Sequence, residues 1–148
     1  MKRFDFEDCI REGLLGRVPP SNERADASIK TAKKWLSEAE KGIGSGTFNS
    51  SVISSYLSMF HSSRAILFLD GFREKSHFCI ARYLEEKYVK KSLLESKWIK
   101  LLDYYREMRH NNQYNTEFFS SKEDAENIFK NAKEFVNRME ALLKAKMR

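Results

Sequence analysis

An all-α fold, an up-and-down bundle of four to five main helices, is predicted by three features of this sequence. Its 148 residues hold six glycines and two prolines, too few turn formers for a strand-rich sandwich. Apolar residues recur at alternating spacings of three and four over most of the chain, the stripe of a helix packed on one side. One segment, 50–69, is apolar around most of its circumference and fits a helix in the middle of a bundle. With 41% hydrophobic and 32% charged residues, the composition excludes a disordered or collagen-like polymer. The length suits one domain over 1–148: a short N-terminal helix and loop over 1–20, then a bundle over 21–148.

Asp5 caps a first helix near 5–15, where Phe6, Ile10 and Leu14 recur every four residues. Pro19 and Pro20 close that segment, because proline cannot continue a helix behind it. Ser21 caps a second helix with a stripe of Ala25, Ile29, Ala32, Trp35, Leu36 and Ala39. The run Gly42-Ile43-Gly44-Ser45-Gly46 stops that helix and reads as a linker, since it lacks the preceding strand and the lysine of a phosphate-binding loop. The third helix, 50–69, carries Val52, Tyr56, Met59, Phe60, Ile66 and Leu67 and ends at Asp70-Gly71. A fourth spans about 76–89, with His77, Ile80, Leu84 and Tyr88 on one face. A fifth, about 92–110, aligns Trp98, Leu102 and Tyr105. The last, about 121–144, has the cleanest stripe, with Ser120 and Glu123 as a capping box at its start. Short loops make sequence neighbours antiparallel.

The 27 Lys and Arg against 21 Asp and Glu leave a formal charge of +6. Four of those six charges fall within 71–115, where Lys87, Lys90, Lys91, Lys97 and Lys100 precede Arg106 and Arg109. That footprint suits phosphates and equally describes a solvated lysine face. Cys9 and Cys79 are too few for a disulfide scaffold and too far apart for a metal knuckle, so two free thiols are expected in a reducing cytoplasm. The N-terminus turns acidic before any signal-peptide core, and 52–69 is too polar and too short to span a bilayer. A cytoplasmic protein without membrane contact is the expectation.

Two arginines stand on apolar rows: Arg64 in line with Ile53, Leu57, Phe60 and Leu67, and Arg109 four residues beyond Tyr105. An inward guanidinium must be paired and hydrogen-bonded. Each therefore either ties helix ends, through carbonyls, Asp70 or Asp103, or lines a cleft for an anion. His61, His77 and His110 show no metal-ligand spacing, so no metal and no cofactor are expected. The run from Tyr105 to Asn115 gathers Arg106, Arg109, His110, Asn112 and Tyr114. Arginine, histidine and amides together can grip a phosphate and move a proton, and the same composition also simply ends a helix.

The run Ser55-Tyr56-Leu57-Ser58-Met59-Phe60-His61-Ser62-Ser63-Arg64-Ala65-Ile66-Leu67 resembles the Tyr-x-x-Met-Phe-His-x-x-Arg-Ala-Leu-Leu signature of prokaryotic HEPN domains. Gly71 with Lys75-Ser76-His77 is similar to that group's next segment, and Arg109 with Tyr114 to its closing Arg…Asp-Tyr element. The resemblance spans about 50–115 and points to the small, stand-alone branch of the family. It implies an up-and-down bundle that homodimerises, with His61, Arg64, Lys75, His77, Asn112 and Tyr114 as ligand-binding residues near the dimer cleft. It further implies pairing with a minimal nucleotidyltransferase in toxin–antitoxin or defence systems, and RNA or a nucleotide as ligand. Many members are metal-independent ribonucleases with an arginine, four to six residues, then a histidine. Here three residues separate Arg106 from His110, and Gln113 stands where the branch carries Asp. Arg106, Arg109 and His110 are the candidate catalytic set. The alternative is a non-catalytic dimerisation or binding module whose arginines are structural.

Overall fold

The computed structural model describes residues 3–114 and 119–147, with the side chain of Asn112 excepted. Among the described residues, 78% are helical, in six α-helices and a π-helical turn, with one small two-stranded sheet. In order these are α1 (Phe6–Arg11), β1 (Leu15–Arg17), α2 (Asn22–Ser45), α3 (Phe48–Asp70), β2 (Phe72–Glu74), α4 (His77–Leu84), a π-helical turn (Glu85–Val89), α5 (Ser96–Tyr114) and α6 (Lys122–Lys146).

α3 is the central rod. Buried residues occupy nearly its whole circumference, including Val52, Tyr56, Met59, Ile66 and Leu67. Its buried serines keep it slim: Ser58 donates to the carbonyl of Ser55 at 2.6 Å and Ser62 to that of Met59 at 3.0 Å. This lets α2 approach closely, and Ser51 donates across to the carbonyl of Ala39 at 2.7 Å. At the other end the Ser21 amide donates to the carbonyl of Phe68 at 3.0 Å, so α2 and α3 run antiparallel. α6 runs parallel to α3: Ser120, just before α6, bonds Asn49, and Lys146 near its end pairs with Asp70. α5 lies antiparallel to α6, with Trp98 against Phe135 at 5.8 Å and Arg138 donating to Glu95 at 2.9 Å. Phe135, Ile128 and Met139 of α6 complete the core between them.

Several boundaries differ from the sequence reading. α1 stops at Arg11, and Leu15 to Arg17 form a strand that pairs antiparallel with Phe72 to Glu74. The glycine run is no linker. α2 continues through Gly42 and Gly44 and stops only at Gly46, whose φ of 78° forms the left-handed cap. Gly42 lies where a Cβ would stand 3.0 Å from the Cβ of Ser51, so it is a contact point between helices. The capping box of α6 is Ser121 with Asp124, one residue later than Ser120 with Glu123. α4 passes into the π-helical turn instead of running to Val89, and α5 spans Ser96–Tyr114. The cysteines are not free: Cys9 and Cys79 form a disulfide, with Cα atoms 5.9 Å apart, that staples α1 to α4. Among the described residues no helix is long and apolar enough to cross a membrane.

Candidate functional site: an aromatic row flanked by arginines

Spacing of four along α3 sets Tyr56, Phe60, Arg64 and Phe68 in one row. Ser76 turns the chain after β2 so that α4 begins with His77 lying flat on that row. The imidazole stacks on Phe60, centroids 4.0 Å apart and 15° between planes, and on Tyr56 at 5.8 Å and 20°. α5 then delivers Arg109, whose guanidinium lies 5.2 Å from the Tyr56 ring centroid.

Burial first, then the positive charges of Arg109, Arg64 and Arg106, hold His77 at about 4, so it is neutral at pH 7. Nδ1 then has a lone pair to accept with. The Tyr56 hydroxyl lies 3.0 Å from it, and Nη2 of Arg109 stands at a long 3.4 Å. Tyr56 is pushed up to about 12, chiefly by burial and against the pull of Arg109, so its hydroxyl keeps its proton and donates.

The neighbouring arginines differ in how their charge is met. Arg106 pairs with Asp103 at 2.5 Å and reaches Glu107 at 3.4 Å. The buried Arg82 shares Asp103 from the other side at 2.5 Å. Both guanidinium groups lie over Phe78, at 5.1 and 4.6 Å. Among the described residues Arg109 is bonded to the amide oxygen of Gln113, at 2.8 Å, besides the long contact to His77. Its Nε is buried without a partner, and among the described residues no carboxylate pairs with it. A cation so placed is chemically suited to an anion.

Tyr56, His77 and Arg109 thus converge at one end of the row, while His61 and Arg64 stand at the other. Arg64 donates from Nε and Nη2 to Glu74, at 2.7 and 3.0 Å. That partner is neither Asp70 nor Asp103, the two weighed from sequence: Asp70 accepts from Tyr83 and Tyr88 and pairs with Lys146. His61 meets Phe60 edge-on at 5.0 Å, and burial plus the Arg64 charge hold it at about 4.

The catalytic set expected from sequence is not gathered at one point. Arg109 turns inward to His77, whereas the exposed His110 lies with its ring 4.8 Å from that of Tyr114, itself 64% exposed. Arg106 is spent on Asp103. Lys75 is exposed, and its amide donates to the carbonyl of Leu14 at 2.9 Å. Asn112 lies on α5 with its side chain outside the described part. Tyr56 was missed as a site residue because on an apolar stripe it reads as core. Glu74 was missed because its partner is set by β2, which no periodicity announces. Among the described residues no group of three or more His, Cys, Asp or Glu is disposed to hold a metal.

A family model of the HEPN domain matches residues 25–142, a span that contains the whole row and Arg109. The chain belongs to the HEPN domain family. Over 122 residues, 82% of this chain and 90% of the relative, it is 25% identical to a protein of Methanocaldococcus jannaschii named "Putative toxin". Over 84 residues it is 29% identical to a UPF0332 protein of Pyrococcus horikoshii, a match covering 57% of this chain and 59% of that relative's length. α1 and β1 precede the HEPN match, so the Cys9–Cys79 bond ties a flanking segment to the HEPN helices.

Proposed function

We propose that this HEPN protein binds phosphate groups of RNA or of a nucleotide at Arg109, as the toxin-side member of a two-protein system. The second member would be a minimal nucleotidyltransferase. The observation that carries the reading is the guanidinium of Arg109, held by Tyr56 and His77 with a buried, unpartnered Nε and, among the described residues, no carboxylate. The relative named as a toxin supports the biological setting. In the enzymatic form of this reading, cleavage proceeds without metal. Arg109 neutralises the developing phosphorane charge and His110 moves the proton between the 2′-hydroxyl and the leaving oxygen. His110 faces solvent, so the reading calls for RNA to bridge the two side chains. The reading calls for the cytoplasm, where RNA and nucleotides are at hand.

Labelled single-stranded RNA, incubated with the protein in chelator, tests both levels. Arg109→Gln should weaken binding by about tenfold or more, the scale of one charge-assisted phosphate contact. His110→Ala should abolish cleavage and leave binding intact. Equal binding by wild type and Arg109→Gln would remove the site from the function.

A second reading, a non-catalytic dimerisation module, is favoured by Tyr104, Tyr114 and Phe119, which are 64%, 64% and 78% exposed along and just beyond α5. Under it, Tyr104→Ser with Tyr114→Ser dissociates a homodimer in sedimentation, and Arg109→Gln lowers Tm without touching RNA.

A further inference from the structure

His77 and Arg109 reach the site on different helices, so their meeting depends on what holds α4 against α5. Among the described residues two side-chain hydrogen bonds cross between these helices. One is the long contact of Arg109 with His77, at 3.4 Å. The other runs from Nη2 of Arg82 to Oδ2 of Asp103 at 2.5 Å, and being short and charge-assisted it is the stronger. Arg82 is 2% exposed, its Nε is buried without a hydrogen-bond partner, and Glu85 stands off at 3.6 Å. Among the described residues Asp103 is the carboxylate that hydrogen-bonds this buried cation, so α4 is tied to α5 at that point.

The same carboxylate holds a second arginine. Its Oδ1 accepts from Nη1 of Arg106, also at 2.5 Å, and Arg106 precedes Arg109 by one turn of α5. The two guanidinium groups on Asp103 lie over the ring of Phe78, at 4.6 and 5.1 Å, and Phe78 follows His77 directly in the chain. Arg106 stands near enough for its charge to act on both Tyr56 and His77. Its side chain is 15% exposed, and its other carboxylate contact, Glu107 at 3.4 Å, is 70% exposed and screened by solvent. Asp103 is therefore what turns Arg106 away, while Arg109 has no carboxylate among the described residues.

We propose that Asp103 is the positioning residue of the Arg109 site: it locks α4 to α5 so that His77 meets Arg109, and it withholds Arg106 so that a single guanidinium receives the ligand. The proposal rests on the reading of Arg109 as a phosphate-binding group. Asp103 touches no ligand in this account and acts through the two arginines it holds. Each oxygen of the carboxylate has its own arginine, so the two tasks come apart by substitution. Arg82→Met removes the tie to α4 and leaves Arg106 held, and it leaves no unpaired charge buried. Asp103→Asn releases both arginines. With Arg106 free, a second cation stands one turn from Arg109, and binding gains a phosphate contact and a steeper dependence on salt.

Two measurements on the full chain test this, one without ligand and one with labelled single-stranded RNA. In the first, NMR follows the titration of the His77 imidazole. The charges that bear most on His77 are those of Arg109, Arg64 and Arg106, so a shift in Arg82→Met reports a change of place. Its midpoint should rise from about 4 towards 6.5 as α4 loosens. In the second, the RNA dissociation constant is measured over a range of salt. The slope of log K against log salt should steepen by about 0.7, one single-strand phosphate contact, in Asp103→Asn. It should stay at the wild-type value in Arg82→Met and in Asp103→Glu, which keeps the carboxylate, and should return to it in Asp103→Asn/Arg106→Gln. A merely structural Asp103 would lower Tm and leave the slope alone. An unmoved His77 titration in Arg82→Met, or a wild-type slope in Asp103→Asn, would overturn the proposal. If Asp103→Asn does not fold, the His77 titration in Arg82→Met decides it. RNA bound equally by wild type and Arg109→Gln would instead end the phosphate reading, and the titration, which needs no ligand, would still decide the tie between α4 and α5.

Discussion

Nη2 of Arg109 stands 3.4 Å from Nδ1 of His77, and both side chains lie against the ring of Tyr56. An arginine beside an imidazole is a like-charge pair whenever the imidazole is protonated, so the pair exists comfortably only with His77 neutral. Burial contributes most to holding His77 at about 4, and Arg109 is the largest of the charges that add to it. Arg109→Gln should therefore raise the pKa of His77 part of the way towards its ordinary 6.5, with the buried ring keeping the remainder. Titration followed by NMR of the imidazole protons measures this directly. An unmoved titration would mean that the guanidinium is not where the geometry has it.

His61 and His77 both lie near 4 against an ordinary value of 6.5, which fixes a sign for acid sensitivity. Below pH 6.5 the unfolded chain takes up protons that the folded chain refuses. The stability associated with these rings is thus whole above about pH 6.5 and is lost as the pH falls towards 4. Carboxylates act lower: Glu95, held at about 2 by its hydrogen bonds with Arg138 and Trp98, loses its contribution only below its ordinary 4.5. Urea unfolding between pH 7 and 4.5 should show stability declining, and His61→Gln with His77→Gln should flatten that decline. An equal slope in the double variant would refute the assignment.

The sequence made the helices legible because apolar stripes are local. Ala25, Ile29, Ala32 and Ala39 of α2, and Ile128, Phe135 and Met139 of α6, are all buried as their spacing requires. What it concealed was non-local. The β1–β2 pair joins residues such as Leu15 and Glu74, too short for any period and fixed only by pairing. That hidden strand decides the partner of Arg64, which neither candidate from the sequence supplied. The inward course of Arg109 was legible from its place after Tyr105, whereas its meeting with His77 needed the turn into α4. Cys9 and Cys79 are 70 residues apart, and nothing in a sequence with two cysteines says whether their Cα atoms lie close enough to bond.

The Arg64–Glu74 pair should respond unequally to the loss of its two members. The Glu74 side chain is 4% exposed and that of Arg64 21%. Arg64→Met leaves a buried carboxylate with its two-point donor gone, which costs about 3–5 kcal/mol. Glu74→Gln leaves a cation that can turn towards solvent, which costs about 1–3 kcal/mol. Denaturant midpoints of the two variants measure the difference, and the reverse order would show that the buried end of the pair has been misassigned.

Gly42 and Gly44 lie two residues apart in α2, yet alanine should act on them with opposite signs. Around Gly44 nothing lies within 4 Å of an added Cβ, so Gly44→Ala gains helix propensity, about 0.5–1 kcal/mol. At Gly42 the same atom meets the Ser51 Cβ at 3.0 Å and the Thr47 carbonyl at 3.2 Å. Neither can move without shifting α3, and overpacking of that kind costs about 1–3 kcal/mol, more than the propensity returns. Thermal unfolding should put Gly44→Ala above and Gly42→Ala below the parent; both moving the same way would contradict the close approach of α2 and α3.

The disulfide closes a loop of 70 residues between α1 and α4. In the chain-entropy account, a cross-link over that span restricts the unfolded ensemble enough to stabilise the fold by roughly 4 kcal/mol. Reduction, or Cys9→Ser with Cys79→Ser, should lower stability by an amount of this order. The loss has a place as well as a size. α1 is held to α4 otherwise by apolar contacts such as Phe6 on Tyr83, at 6.2 Å, and Cys79 follows His77 by two residues. Freed of the bond, α1 and the first turn of α4 should exchange their amide hydrogens faster, while α6 and the centre of α3, buried around most of its circumference, keep their protection. Hydrogen exchange of the oxidised and reduced protein separates the two. Uniform acceleration across all helices would show that the bond guards the whole bundle instead of the junction it spans.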